Sequence, residues 1–383
     1  MTRCDPAGPG KAAGTIPAPD LPEGVPPLTT FYLYLTASCN LRCRHCWIAP
    51  AFTGGKAVKG TTIDLPALEA AVAEAKTLGL ASAKLTGGEP MLHPQFLAIV
   101  DMLTAEGIYL NMETNGTLLT RKMAHHLKEK TSVGFISVSI DSPDPEEHDA
   151  FRGVKGSFDR ALRGLDHLVE AGYTNVQVIM SVHRGNRDRM EDLVRLAADH
   201  GAASVKFNPV TCTGRGQAMH EQGEGLDFEE NLALSRYVED VLRKKAPVPV
   251  TLAMPPSLTP FGELWRTRGE SCDCGVSSVL GILGTGEIAL CGVGRTTPEL
   301  VYGHLGKDSI RTIWLTHPLL LRLRQELDDF QHYPGICGSC IHAQSCRTGC
   351  VADNYIHSKR LVYPQWLCDE AEKKGVFPKS RMR

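Results

Sequence analysis

Between Thr29 and Val210 the chain alternates short apolar runs with stretches of helical spacing. The apolar runs predict strands at Phe31–Ala37, Ala83–Thr86, Tyr109–Glu113, Phe135–Ile140, Val176–Val182 and Ser204–Asn208. Between them, Phe158, Leu162, Leu165 and Val169 fall on one face of a helix that opens at Ser157, a good N-cap, and stops at Gly172. A second helix runs from about Asp188 to His200, with Met190, Leu193, Val194 and Ala197 inward; a third spans Asp64 to Leu78. Six β-α units in series predict an α/β fold with a parallel sheet and helices outside. A partial (β/α)6 barrel of the TIM type and an open doubly wound sheet both fit that order. In either, ligands sit at the C-terminal ends of the strands.

After about Gln217 the rhythm breaks. A connector helix is expected at Phe228–Lys244, a Pro-rich stretch at Pro247–Pro260, and a hairpin at Val279–Leu290 about Gly284-Thr285-Gly286. Ser309–Leu327 reads as one helix. Gly335–Cys368 is rich in cysteine and poor in apolar residues, so metal is expected to organise it in place of hydrophobic burial. The division that follows is a flexible Pro/Gly-rich tail over 1–28, a barrel over 29–245 and a small cysteine-rich domain over 246–383.

Charge changes the picture little. The 383 residues carry 41 Lys and Arg against 43 Asp and Glu, which gives no reason to expect nucleic acid as a partner. No apolar run reaches the ~18 residues of a membrane span, and the N-terminus lacks the apolar core of a secretory signal. The 13 cysteines matter more. They fall in tight local groups, which suits metal ligation in a reducing cytoplasm better than a disulfide framework.

Cys39, Cys43 and Cys46 form C-x3-C-x2-C directly after the first expected strand. Three thiolates on one loop can hold three irons of a [4Fe–4S] cube and leave the fourth open. A closed zinc site would want a fourth ligand, and only His45, awkwardly placed inside the loop, is near. The stretch "TASCNLRCRHCW" resembles the signature of radical S-adenosylmethionine enzymes. In that family the open iron chelates S-adenosylmethionine, and reductive cleavage yields a 5′-deoxyadenosyl radical that abstracts hydrogen from substrate. Gly87-Gly88-Glu89-Pro90 resembles the family segment that binds the methionyl amino group, where glycines admit the ligand and a carboxylate neutralises its ammonium. Asn115 in Thr114-Asn115-Gly116 stands at the end of the third strand, as the family has it. Ser139 and Asp141 resemble residues that contact ribose or carboxylate, and Arg152 an arginine that pairs with the ligand carboxylate. The resemblance covers about residues 29–216.

The C-terminal third holds Cys272, Cys274, Cys291, Cys337, Cys340, Cys346, Cys350 and Cys368. Eight thiolates can fill two further [4Fe–4S] clusters or two structural zinc sites. The array resembles the SPASM extension of radical enzymes that modify peptides and proteins. By that resemblance, Cys272, Cys291 and Cys350 hold the nearer auxiliary cluster, and Cys337, Cys340, Cys346 and Cys368 the outer one. Cys274 departs from the pattern, being too close to Cys272 for comfortable ligation of one cube, so the nearer cluster is left with a possible open iron.

Cys212 follows the sixth strand at the mouth of the sheet. It reads either as a small buried hydrophobe or as a thiol that returns a hydrogen atom to a substrate radical, as in peptide epimerases of this class. Trp47 reads either as a cover for the cluster or adenine, or as core. The expected activity is maturation of a ribosomally made peptide by thioether or carbon–carbon crosslinking or epimerisation. The expected cofactors are three [4Fe–4S] clusters and S-adenosylmethionine, with flavodoxin or ferredoxin as reductant. The roughly 28 residues ahead of the first strand are too few for a leader-binding domain, which needs ~50 or more to fold, so a separate recognition protein is a possible partner. The alternatives are a formylglycine-forming sulfatase maturase, a tetrapyrrole enzyme of the haem synthase or haem d1 type, and a non-catalytic iron–sulfur electron carrier.

Overall fold

The computed structural model describes residues 19–266 and 276–383. Cys4, Cys272 and Cys274, and the expected tail as far as residue 18, lie outside the described residues.

All six expected strands of the first half form: β1 Thr30–Tyr34, β2 Ser82–Thr86, β3 Tyr109–Thr114, β4 Val133–Ser139, β5 Gln177–Val182 and β6 Ser204–Pro209. β1 stops three residues early because the chain leaves the sheet. Ala37 donates its N–H to the Thr61 carbonyl and Thr36 bridges to Thr62. Three more kinds of pairing extend the sheet: β7 Val250–Leu252 beside β6, β8 Val279–Ile282 beside β1, and the antiparallel β9 Glu287–Ala289 and β10 Val301–His304. Among the described residues these form one sheet in the order β10-β9-β8-β1-β2-β3-β4-β5-β6-β7. From β1 to β7 the strands lie side by side in chain order, all parallel. A doubly wound sheet would reverse direction at a switch point. The unreversed order is that of a partial barrel.

Alternation along the strands assigns the two faces. Phe31, Leu33, Ala83, Leu85, Leu110, Met112, Val178 and Phe207 are buried against the helices in one large core. Those helices include α1 Leu65–Lys76, α2 Phe96–Ala105, α3 Arg121–Lys130, α4 Pro145–Arg152, α5 Ser157–Glu170 and α6 Met190–Asp199. Asp64 caps α1 by accepting the Ala67 N–H, and Asp144 caps α4, whose first residue is Pro145. The other face of the sheet is polar. Lys84 pairs with Glu113, and Ser137, Gln177 and Ser204 are linked by hydrogen bonds of 3.4 and 3.2 Å.

Several helices differ from expectation. Gly156, in the left-handed region, occupies the N-cap of α5, and Ser157 is the first helical residue, donating to Asp149. The buried face of α5 is Phe158, Ala161, Leu165 and Leu168, with Leu162 and Val169 at its margin. The connector begins as α7 Phe228–Tyr237, closed by a capping box of Asp227 and Glu230, and then widens into a π-turn at Val238–Leu242. Ser309–Leu327 is two helices, α8 Ile310–Thr316 and α9 Pro318–Asp328. Pro318 lacks an N–H and holds His317 in an extended conformation, so one helix cannot run through. The cysteine-rich segment contains α10 Val351–Ser358 and α11 Trp366–Lys373. It also has its own apolar core: Ile336, Leu367, Ala371 and Phe377 pack with Phe228 of α7 and Met254.

β7 and the β8–β10 meander come after residue 245 yet complete both edges of the barrel sheet. Open edges present unpaired N–H and C=O groups, and this chain covers them with its C-terminal part.

Candidate active site

The loop after β1 carries the first three cysteines to the C-terminal ends of the strands. Cys39 and Cys43 are buried and Cys46 is half-buried. The loop is pinned from three sides. Ser38–Cys39 pairs with Ala51–Phe52, Arg42 and Arg44 donate their N–H groups to the carbonyls of Arg152 and Phe151 at 3.0 Å, and Arg215 donates to the Cys46 carbonyl at 3.0 Å. The end of α4 can come this close because Gly153 has φ +73°; a Cβ there would lie 2.8 Å from the Arg42 carbonyl oxygen.

Gly87-Gly88-Glu89 follows β2 and packs against the same loop. Gly88 donates to the Thr36 carbonyl at 2.8 Å and Glu89 to that of Ser38 at 3.0 Å. A Cβ on Gly88 would collide with the Ser38 carbonyl. Glu89 is 1% exposed, with its carboxylate turned inward. It accepts the Thr114 hydroxyl at 2.8 Å and the Asn115 N–H at 2.9 Å. Burial outweighs these donors and pushes its carboxyl up to about 7. Pro90 opens the short turn Pro90–Leu92.

Asn115 ties the end of β3 to the cysteine loop. Its amide donates to Asn40 at 2.9 Å and lies 4.0 Å from the Cys39 sulfur. Asn40 in turn donates to Thr117, whose N–H and hydroxyl return to Asn115 at 2.9 and 2.7 Å. Asp141 and Arg152 come together as a buried ion pair at 2.5 Å. Asp141 also accepts the Ser181 N–H at 2.8 Å, and Arg152 reaches the Cys43 sulfur at 3.6 Å. Burial alone would raise the Asp141 carboxyl; the guanidinium prevails and holds it below the usual carboxylate range. Burial likewise opposes the charge on Arg152, but Asp141 and Cys43 keep it protonated. Ser139 ends β4, half-buried.

The thiols fall into groups whose members act on one another's ionisation. Burial, and then Glu89 and the neighbouring cysteines, push Cys39 up; burial pushes Cys43 up against the pull of Arg152. In the C-terminal part, Cys291 couples to Cys350, and Cys337 to Cys368, Cys346 and Cys340. Among the described residues no three Cys, His, Asp or Glu side chains converge closely enough for a single metal ion. A zinc ion at ~2.3 Å from each sulfur demands such convergence. A cube of irons does not, since each thiolate binds a different iron. The donor chemistry of the first loop fits such a cluster: three cysteines stand on one loop, Arg152 acts on Cys43, and among ionisable side chains only acidic groups and other thiols act on Cys39, so thiolates there call for additional positive charge.

Trp47 packs in one apolar cluster with Tyr34. It meets Tyr34 edge-on at 6.2 Å, and a Cβ on Gly292 would lie 2.5 Å from the Tyr34 ring and 2.7 Å from that of Trp47. Cys46 and Cys291 flank this aromatic cluster. Cys212 is half-buried; burial, then Asp353 and Glu221, raise its thiol. Asp353 belongs to α10, which starts directly after Cys350, so the loop after β6 meets the C-terminal part here. Between Cys346 and Cys350 the backbone is left-handed at Arg347, Thr348 and Gly349.

Sequence reasoning missed Asn40, His45 as a stacking residue, Phe151 and Asp353. His45 stacks on Phe151 at 4.5 Å, and Phe151 on His183 at 4.6 Å. Asn40 had a usable signal, a polar amide between two candidate ligands. The His45–Phe151 and Cys212–Asp353 contacts join residues more than a hundred positions apart, and Phe151 meets His183 from a different β-α unit.

Residues 33–197 match the model of the Radical SAM superfamily. The chain is 26% identical over 348 residues to mycofactocin maturase MftC of Mycobacterium tuberculosis H37Rv, spanning 91% of this chain and 84% of that protein. It is 28% identical over 365 residues to the AdoMet-dependent heme synthase of Nitratidesulfovibrio vulgaris, spanning 91% and 94%. Among solved structures, Streptococcus suis SuiB bound to S-adenosylmethionine has the same fold, with a TM-score of 0.67 and 18% identity over 90% of this chain and 77% of that one. With its three-cysteine loop at the strand ends of a partial barrel, the chain carries a radical SAM domain over residues 33–197.

Proposed function

We propose that this protein modifies a ribosomally made peptide through hydrogen abstraction and holds three [4Fe–4S] clusters. A radical SAM domain implies one cluster and S-adenosylmethionine, which together supply a 5′-deoxyadenosyl radical when bound. The observation that carries the fuller reading is the sorting of the thiols into three groups. Cys39, Cys43 and Cys46 would hold the first cluster; Cys291 and Cys350, with Cys272, the nearer auxiliary one; Cys337, Cys340, Cys346 and Cys368 the outer one.

The chain's own residues divide the remaining work. Gly87, Gly88 and Pro90 shape a backbone cradle beside the cysteine loop, and Glu89 braces it while offering a carboxylate to an ammonium. Asn115 orients the loop. Arg152 stays charged, offsets thiolate charge at Cys43 and stands ready for a ligand carboxylate, with Ser139 and Asp141 at the adjoining strand end. Cys212 keeps its proton, as a hydrogen-atom donor must. The substrate class is supported by the naming of MftC as a maturase and by the structure of SuiB with its precursor peptide SuiA. Flavodoxin or ferredoxin would deliver electrons in the cytoplasm, with a separate chain recognising the leader. Among the described residues no helix is long and apolar enough to cross a membrane.

A second reading, tetrapyrrole modification, is favoured by the heme synthase match, which spans 94% of that enzyme. One experiment separates the two. The anaerobically reconstituted protein is given reductant and S-adenosylmethionine, and 5′-deoxyadenosine is followed with a short peptide encoded beside the gene or with an iron porphyrin. A rise with the peptide and a mass loss of two hydrogens supports crosslinking; a rise with unchanged mass and solvent deuterium uptake supports epimerisation. A rise with the porphyrin alone overturns the peptide reading.

A further inference from the structure

The thiols grouped around Cys337 come near the surface at Cys340. Cys340 is buried, but its neighbours Ser339 and Ile341 are exposed. Residues 381–383 run antiparallel along this turn. Ile341 donates its N–H to the Arg381 carbonyl at 2.9 Å, Arg383 donates to that of Ser339 at 2.7 Å, and Met382 bridges to Cys340. The charged side chains that act on the Cys340 thiol are Arg383 and Arg381. The carboxylate that acts on this group of thiols, Glu372, lies by Cys337 and accepts the Ile336 N–H at 2.9 Å.

Lys379, Arg381 and Arg383 pair with no carboxylate among the described residues. Arg381 lies over the Phe261 ring at 5.7 Å and donates to the Thr259 carbonyl at 3.4 Å, and Arg383 lies over the Phe330 ring at 5.5 Å. The lysines just before them are neutralised, Lys373 by Asp369 at 2.6 Å and Lys374 by Glu229 at 2.9 Å. Beside the open cations stand exposed apolar side chains: Ile341 at 48%, Met382 at 44% and Phe261 at 66%. Large apolar groups gathered within a rim of one charge mark a contact surface. Electron-transfer partners use small interfaces of this kind, steered by opposite charge. We propose that an acidic electron-transfer protein, of the flavodoxin or ferredoxin kind, docks on this face and passes one electron to the outer cluster at Cys340. No bond forms or breaks: the donor is oxidised by one electron and the cluster is reduced by one. The inference rests on the reading of Cys337, Cys340, Cys346 and Cys368 as cluster ligands.

The test titrates the full-length, anaerobically reconstituted protein with an oxidised flavodoxin in a calorimeter. In parallel, 5′-deoxyadenosine is followed with reduced flavodoxin or with dithionite as electron source. Wild type should bind flavodoxin with an affinity that falls several-fold between ~50 and ~200 mM sodium chloride, as charge-steered contacts do. R381E/R383E should bind at least ~10-fold more weakly, and K379E, at an exposed position, a few-fold more weakly. With flavodoxin as donor, K379E should need a few-fold more of it for the same rate; with dithionite, which needs no docking, it should match wild type. Unchanged affinity in both variants, or a K379E rate lowered equally with either reductant, overturns the docking site. Poly-glutamate bound as tightly as flavodoxin overturns the redox partner in favour of an acidic peptide. Iron per chain separates the two levels of failure: ~4 in wild type removes the outer cluster and the proposal with it, whereas at ~12 a negative result overturns the docking alone.

Discussion

Glu89 shows how one residue can be prepared for a ligand. Its folded carboxyl is raised to about 7, so the folded state binds the proton more tightly than the unfolded chain, whose Glu titrates near ~4.3. The sign follows: in the absence of S-adenosylmethionine, stability is higher below the unfolded value and declines as pH rises between ~4.3 and about 7, by about 3–4 kcal/mol in all. E89Q should flatten that window, measured by urea unfolding of reconstituted protein at several pH values. An ammonium placed beside Glu89 would draw its proton off. Binding of S-adenosylmethionine at pH 6.5 should then release protons, seen as a calorimetric heat that depends on the buffer, and E89Q should abolish the dependence. Heat independent of buffer in wild type would remove Glu89 from the ammonium site. Gly88 acts by having no side chain. G88A should leave the circular dichroism of the sheet intact but lower iron per chain after reconstitution, because the Cβ displaces Ser38 and the cysteine loop behind it.

At the scale of elements, the strands were legible because each is a run of apolar and β-branched residues bounded by turn formers. The helices were legible in position and less so in detail. Pro318 is visible in the sequence, yet the apolar repeat across it invites one helix; the missing N–H decides otherwise. Ser157 looks like a cap, but Gly156 can turn left-handed where serine cannot do so freely, so glycine takes the cap and the helix starts one residue earlier than a Ser157 cap would have it. Lys359 ends α10 at φ +57°. Left-handed backbone costs a non-glycine residue about 1–2 kcal/mol, partly offset by the greater freedom of unfolded glycine. K359G should therefore raise stability by about 0.5–1 kcal/mol, read as a higher melting temperature with unchanged activity.

For the whole molecule, the expected division at residue 245 conceals a shared sheet. β7 and β8 close the two edges of the barrel, so a chain ending at residue 245 should expose β1 and β6 and aggregate, seen as early elution in size exclusion; a monodisperse product would show that the edges need no cover. The polar inner face, with the Lys84–Glu113 pair, was hidden within strands that read as apolar, because alternation is weak where both faces are buried. The sequence by itself determined the positions of the six strands, the three-cysteine loop and the residues that follow the strand ends, since these depend on local spacing, whereas the side-by-side strand order is read from the sheet. Only the tertiary structure decided that Asp141 pairs with Arg152, that Trp47, Cys46 and Cys291 share one apolar cluster, and that Arg324 stacks on Trp314. Those contacts join separate elements, and their energies arise from burial and charge that no local pattern records.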